Sequence, residues 1–93
     1  MTMTIEQIIQ ENRQAGYHFF DQDTKRFFRS YVYYPVYGDR FFITRETDPT
    51  ANTAYTIRNF NNDTGKISTV GNFMGHATYH EAVAMVRKLV ADL

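Results

Sequence analysis

Several residue types are absent from this sequence, and each absence excludes a class of protein. The 93-residue chain has no Cys, which rules out disulfides, Cys-based zinc sites and thiol catalysis. Ten Lys and Arg balance ten Asp and Glu, so no overall field attracts nucleic acid or an anionic membrane. No stretch approaches the roughly 20 apolar residues of a membrane span, and the N-terminus lacks the pattern of a signal peptide. We therefore expect a cytosolic protein with no membrane partner.

The residues that are abundant indicate a folded binding domain. A hydrophobic fraction of 43% with 22% charged residues is typical of globular proteins, and the length predicts a single domain, 1–93, with one core. The chain holds seven Tyr, eight Phe and seven Arg but only three Lys. Arg and Tyr are common at binding surfaces, because each makes several contacts at modest entropic cost.

Capping motifs predict a helix near each end of the chain. Thr4 and Gln7 have the spacing of a capping box, and Gly16 suits the residue just past a helix end. Thr78 and Glu81 form a second box, which an apolar stripe follows at helical spacing. These signals predict an N-terminal helix beginning at Thr4 and a C-terminal helix beginning at Thr78.

Between the helices, β-branched and aromatic runs alternate with turn residues, which is the pattern of strands. Pro35 indicates a sheet edge nearby, and Gly38-Asp39 is typical of a two-residue hairpin turn. We predict an α+β fold: an antiparallel β-meander of four to five strands with both helices packed on one face. The predicted strands are Tyr17–Phe20, Arg26–Tyr34, Arg40–Glu46, Ala54–Phe60 and Lys66–Phe73.

No motif in the sequence predicts catalysis, a metal site or a cofactor. His76 and His80 have a metal-ligand spacing, but with Thr78 as the helix N-cap His76 precedes the helix and the two rings need not converge. The Asp residues fall in predicted turns, where Asp is favoured for local backbone bonding. We therefore predict that the chain is not an enzyme, and that it takes no small-molecule substrate.

Three Phe doublets, at positions 19–20, 27–28 and 41–42, are the most informative feature. Strand side chains alternate between faces, so each doublet places one ring on the helix-covered face and the other on the opposite face. The predicted open face is a mosaic of Arg and aromatic residues suited to a protein or to stacked bases. Alternatively, these rings only pair with one another across strands. The candidate partner-binding residues are Phe27, Arg29, Tyr31, Tyr33, Arg40, Phe42, Arg58 and Phe60.

The chain also resembles a family of small proteins encoded by phages and other bacterial mobile elements. The resemblance is carried by the stretches 15–20, 26–30, 40–44, 55–58 and 64–71. In this sequence Arg45 stands in a Thr-Arg-Glu run where the family has Thr-Ser-Glu.

In general character the chain is similar to anti-CRISPR proteins that bind type I surveillance complexes. This resemblance implies a host-defence inhibitor in the host bacterial cytoplasm. It would contact Cas proteins and crRNA, and would sterically block target DNA binding, as a monomer or a weak homodimer.

Two other functions stay open from the sequence. One is a small phage nucleic-acid-binding or regulatory protein, for which the neutral charge is unfavourable because such regulators carry basic patches. The other is a self-associating accessory protein whose aromatic face forms a homodimer interface.

Overall fold

The computed structural model describes residues 3–21 and 30–93, and this part of the chain folds as a four-stranded sheet flanked by two helices. Helix α1 precedes the sheet and helix α2 follows it. In chain order the elements are α1 (Ile5–Gln14), β1 (Tyr31–Val32), β2 (Phe41–Thr47), β3 (Thr53–Phe60), β4 (Ile67–Val70) and α2 (Tyr79–Ala91).

Both predicted helix starts are confirmed. At α1 the capping box is complete, since Thr4 Oγ1 accepts from Gln7 N (3.3 Å) and Gln7 Oε1 accepts from Thr4 N (2.9 Å). At α2 Thr78 Oγ1 accepts from Glu81 N (3.2 Å), whereas the Glu81 carboxylate accepts from Ala77 N (3.1 Å). Each helix thus begins where its hydroxyl side chain satisfies an unpaired amide of the first turn.

The sheet is a meander with the strand order β1-β2-β3-β4, and all three strand pairs are antiparallel. At the Gly38-Asp39 turn both residues have positive φ (59° and 60°), and Arg40 N donates to Tyr37 O (3.2 Å). In the β2–β3 loop Asp48 Oδ1 accepts from the backbone N–H of Thr50 and of Asn52 (both 2.9 Å). The predicted α+β meander is therefore confirmed, and among the described residues the strand before Pro35 lies at an edge of the sheet, as predicted.

The two helices pack on opposite faces of the sheet, which corrects the predicted packing on one face. Ile5 and Ile8 of α1 cluster with Phe42 and Phe60, whereas Ala82 and Val86 of α2 cluster with neighbouring strand residues of opposite alternation. Those strand residues are Phe41, Ile43 and Ile57. The sheet consequently separates two apolar clusters, rather than covering the single core that the length led us to expect.

The predicted strand Tyr17–Phe20 is wrong. After α1 the chain turns instead, with Tyr17 N donating to Asn12 O (3.1 Å) and Asp21 N donating to His18 O (3.2 Å). Phe20 is buried in the α1 cluster and stacks on Phe42 with ring centroids 5.9 Å apart. The aromatic run therefore indicated burial, not strand conformation. Residues 26–29 of the predicted strand Arg26–Tyr34 lie outside the described residues.

Candidate functional site

The predicted open face does not exist as such, because its central residues are buried under α1 and the segments next to it. Phe42 and Phe60 are 0% and 1% exposed and belong to the α1 cluster, and Arg58 is 9% exposed. The alternation along β2 and β3 was predicted correctly. One error was to place Tyr31 on the face of Phe42, since Tyr31 pairs with Arg45 and lies on the opposite face. The other was to expect the face of Phe42 to be open, since α1 covers that face while α2 covers the other.

Arg58 and Glu46 form a buried ion pair on the α1 face. Arg58 Nη2 lies 2.8 Å from Glu46 Oε1, and the Glu46 side chain is fully buried. Arg58 Nε donates to Thr44 Oγ1 (3.1 Å) and its Nη1 donates to Thr69 Oγ1 (2.5 Å). Glu46 also accepts from the hydroxyls of Thr44 and Thr56. A buried pair needs such additional hydrogen bonds, because they offset the cost of removing both charges from water.

Two phenyl rings enclose the Arg58 guanidinium. Its central carbon lies 5.2 Å from the centroid of the Phe19 ring and 5.3 Å from that of Phe73. The Phe73 segment is held down by Met74 N, which donates to Thr56 Oγ1 (2.8 Å), with Met74 at φ 55°. Arg58, predicted as a partner contact, therefore serves contacts within the chain.

A different aromatic surface lies on the α2 face, where Arg45 and four tyrosines come together. We call these five residues the tyrosine patch: Tyr31, Tyr33, Arg45, Tyr55 and Tyr79. Arg45 pairs with Tyr31 on one side and with Tyr55 on the other, so all three side chains leave the same face. Tyr79 reaches this surface from the first turn of α2, with its ring centroid 4.6 Å from that of Tyr33.

The rings of the tyrosine patch hold one another in place. Tyr31 meets Tyr33 edge to face with centroids 5.0 Å apart, and Tyr55 lies 6.2 Å from Tyr33 and 6.1 Å from Tyr79. The Arg45 guanidinium lies 5.2 Å from the centroid of the Tyr31 ring. Tyr31 is 48% exposed and Arg45 is exposed, while the other three rings are half-buried. A partner would therefore meet aromatic edges, phenol groups and one cation on a preorganised surface.

Two phenols of the patch, those of Tyr33 and Tyr79, have a raised pKa, which favours their neutral form. The pKa of Tyr79 is raised to about 12, chiefly by burial and then by its hydrogen bond with Tyr37. The pKa of Tyr33 is also raised, by burial first and by the neighbouring Tyr55 second, although Arg45 opposes the shift. At neutral pH these groups are thus hydrogen-bond donors as well as acceptors.

The structure thus places the predicted site residues in different parts of the molecule. Tyr31 and Tyr33 lie in the tyrosine patch, on the face opposite Phe42, Arg58 and Phe60. Arg40 is half-buried, donates from Nε to Asn59 Oδ1 (2.8 Å) and lies over the ring of its neighbour Phe41. Phe27 and Arg29 lie outside the described residues.

Arg45, Tyr55 and Tyr79 were not predicted as site residues from the sequence. Arg45 follows Ile43 at strand spacing, and the strands on both sides of β2 contribute a Tyr opposite it. Only the pairing register reveals this arrangement, because the three residues are well separated along the chain.

A polar groove of about 800 Å³ lies beside α1 and the turns at one end of the sheet. Arg40 and the carboxylates of Glu11, Asp39 and Asp63 contribute to its walls. The side chains lining it include the amides of Gln7, Gln10, Gln14, Asn61 and Asn62.

Among the described residues no group of three or more His, Asp or Glu side chains is placed to hold a metal ion. His76 precedes α2 and pairs through its backbone with Tyr55, whereas His80 lies within α2.

The chain is thus a small α+β domain in which two helices flank an antiparallel meander and the tyrosine patch lies on one face. The chain belongs to a family of unknown function, DUF7447, whose model matches residues 4–87. Neither curated proteins nor solved structures gave a match. In the part of the chain that the structure describes, neither helix is long and apolar enough to cross a membrane.

Proposed function

We propose that this chain is a non-catalytic binding protein that contacts a partner protein through the tyrosine patch. The observation that carries the proposal is the convergence of four phenol rings and an exposed Arg on one surface, at fixed positions set by three strands and α2. Tyr and Arg are enriched among the residues that dominate binding energy, and rings already held in place lose little entropy on binding.

The half-exposure of the patch supports a macromolecular partner. The groups are spread over neighbouring strands around Arg45, so a ligand would have to be broad enough to cover several rings at once. Such a surface is suited to the centre of a protein interface, where aromatic anchors and a few hydrogen bonds are surrounded by a polar rim. Arg45 supplies a single cation within the patch, and the whole chain has no net charge. Both observations favour a protein partner over a nucleic-acid partner, whose phosphate backbone would need several cations.

In its specific form, the proposal is that the partner is a type I CRISPR-Cas surveillance ribonucleoprotein and that the chain is a phage-encoded inhibitor. Support for this partner comes from the sequence resemblance, and the tyrosine patch supplies the surface. Bound beside the crRNA, a domain of this size would act sterically by occupying space that target DNA must enter.

The test is a titration of the chain into a purified type I surveillance complex, followed by addition of labelled target DNA. We expect saturable binding and loss of DNA binding in proportion to the bound chain. The variants Tyr31→Ala and Arg45→Ala should weaken binding by at least tenfold together. Tyr34→Ala is the matched control, because Tyr34 is 69% exposed and lies outside the patch.

No binding at micromolar concentration would reject the surveillance complex as the partner. Equal binding by the patch variants and the wild type would reject the patch as the contact surface. Retention of free crRNA or DNA by the chain alone would favour the nucleic-acid-binding alternative instead.

A further inference from the structure

The strand β4 forms one edge of the sheet within the described residues, and apart from its short length it lacks the usual protection of an edge. The strand order ends at β4, whose sequence Ile67-Ser68-Thr69-Val70 contains no charged residue and no Pro. Ser68 and Thr69 are exposed. Natural sheets commonly blunt their edges with Lys, Pro or a bulge, because an open edge can pair with another strand.

The register shows which backbone groups of β4 are open. Asn61 N donates to Lys66 O (2.8 Å), and the ladder continues without a bulge through the pairs Asn59 with Ser68 and Ile57 with Val70. In an antiparallel pair the residues alternate between bonding the neighbouring strand and pointing away from it. The N–H and C=O groups of Ile67 and Thr69 therefore point away from β3.

We propose that two copies of this chain pair through β4, in an antiparallel arrangement about a two-fold axis perpendicular to the sheet. This inference is independent of the partner proposed above and uses a different surface. With Thr69 opposite Thr69 of the second copy, each Thr69 N–H donates to the other's C=O. Ile67 then lies opposite Gly71 of the second copy, whose N–H donates to the Ile67 C=O. The φ of +74° at Gly71 turns its own C=O out of the ladder, so one further hydrogen bond forms on each side of the axis.

A second copy fits this edge because the pairing is self-complementary. The strand has the same length and open groups in both copies, places no like charges opposite each other, and belongs to a chain with no net charge. The same axis keeps equivalent faces together, so the two Phe73 rings, each 43% exposed, lie on one side of the joined sheet. The contact area of one short strand predicts a weak dimer that dissociates on dilution.

The test is sedimentation equilibrium of the wild type, Thr69→Pro and Thr69→Ala over a wide concentration range. Both variants lose the hydroxyl that accepts from Arg58, but only Thr69→Pro loses the outward N–H. We expect the wild type and Thr69→Ala to rise from monomer to twice the monomer mass, and Thr69→Pro to stay monomeric. A wild type that is monomeric throughout, or a Thr69→Pro variant that dimerises equally well, would overturn the proposal.

A second measurement does not depend on the folding of any variant. Amide hydrogen exchange of the wild type should show Thr69 and Gly71 protected at high concentration and at least tenfold less protected at low concentration. The Ser68 amide, which faces β3, is the internal control and should change much less. Exchange at Thr69 and Gly71 that is independent of concentration would refute pairing through β4.

Discussion

At the residue scale, Arg58 shows how a side chain typical of binding surfaces can be used within the chain. Its guanidinium is bound by Glu46, Thr44 and Thr69 and enclosed by two phenyl rings. In the sequence an Arg at this spacing looks the same whether its face is open or covered. The covering groups come from segments distant in sequence, so alternation along β3 could not reveal the burial.

The buried pair predicts a specific pattern of stability. Arg58→Leu leaves the Glu46 carboxylate buried without its cation, which should lower the free energy of unfolding by about 3–5 kcal/mol. The double variant Arg58→Leu with Glu46→Leu should be more stable than Arg58→Leu alone, because no uncompensated charge remains. Urea denaturation of the two single variants and the double variant measures this coupling. Strictly additive losses would show that the two side chains do not act as a pair.

Gly65 allows α1 to approach the β3–β4 turn closely. It has φ +77°, and a Cβ there would lie 2.6 Å from Ala15 Cβ and 3.2 Å from Glu11 O. Beside it, the buried Asn12 donates from Nδ2 to Gly65 O (2.7 Å). Both the backbone conformation and the space therefore require glycine.

Gly65→Ala is predicted to destabilise the protein more than Gly71→Ala. Gly71 has a similar φ of +74° but no atom within 4 Å of its Cβ position. Both variants incur the left-handed penalty of about 1 kcal/mol, and only Gly65→Ala also forces α1 away from the turn. Thermal unfolding should give a clearly lower Tm for Gly65→Ala. Equal Tm values would contradict the close packing of α1 on this turn.

At the element scale, the helix starts, turns and strands that depend on local sequence signals were predicted well. The long-range packing of the helices on the sheet was not. The helix starts, the Gly38-Asp39 turn and the β2, β3 and β4 regions were predicted because caps, turn residues and alternation act between neighbours in sequence. Which face each helix covers depends on the path of the chain around the sheet. No local pattern records that path, so both helices were placed on one face and Phe42 was expected to be exposed.

Only part of the candidate site was predicted, because its residues also come together through long-range pairing. Tyr31 and Tyr33 were selected from their own strand, but they were grouped with Arg58 instead of with Arg45. The grouping required knowing that β1 pairs with β2 at Tyr31 and Arg45. A register set between strands cannot be obtained from the pattern of either strand alone.

The contact between α2 and the tyrosine patch predicts a loss of stability at high pH. The pKa of Tyr79 is raised from 10.0 to about 12, so the folded state favours the neutral phenol. Its contribution is fully present below pH 10.0 and is lost as the pH rises towards 12. Tyr79→Phe should remove the part of the alkaline destabilisation that this phenol causes.

Two measurements check this prediction. The ultraviolet titration of tyrosinate in the wild type, minus that of Tyr79→Phe, should show one phenol ionising near pH 12. Unfolding followed at increasing pH should then show a shallower loss of stability for the variant. A difference titration centred at the ordinary phenol pKa would contradict the burial of Tyr79 against α2 and Tyr37.

At the scale of the whole molecule, the two faces of the sheet and its β4 edge differ in structure. The α1 face is closed over an ion pair, the α2 face carries a preorganised aromatic surface, and β4 leaves backbone groups open. A partner on the tyrosine patch and a second copy on β4 therefore use different parts of the sheet. Binding and self-association should be separable by mutation, with Tyr31→Ala affecting the first and Thr69→Pro the second.

The most direct test of the central claim is hydrogen-exchange footprinting of the chain bound to the type I surveillance complex. The account predicts that bound chain is protected around Tyr31, Arg45 and Tyr55 on the α2 face. It also predicts that the double variant Tyr31→Ala with Arg45→Ala loses both the footprint and the affinity, whereas Tyr34→Ala keeps them. A footprint confined to the α1 side, with the double variant binding as tightly as the wild type, would contradict it.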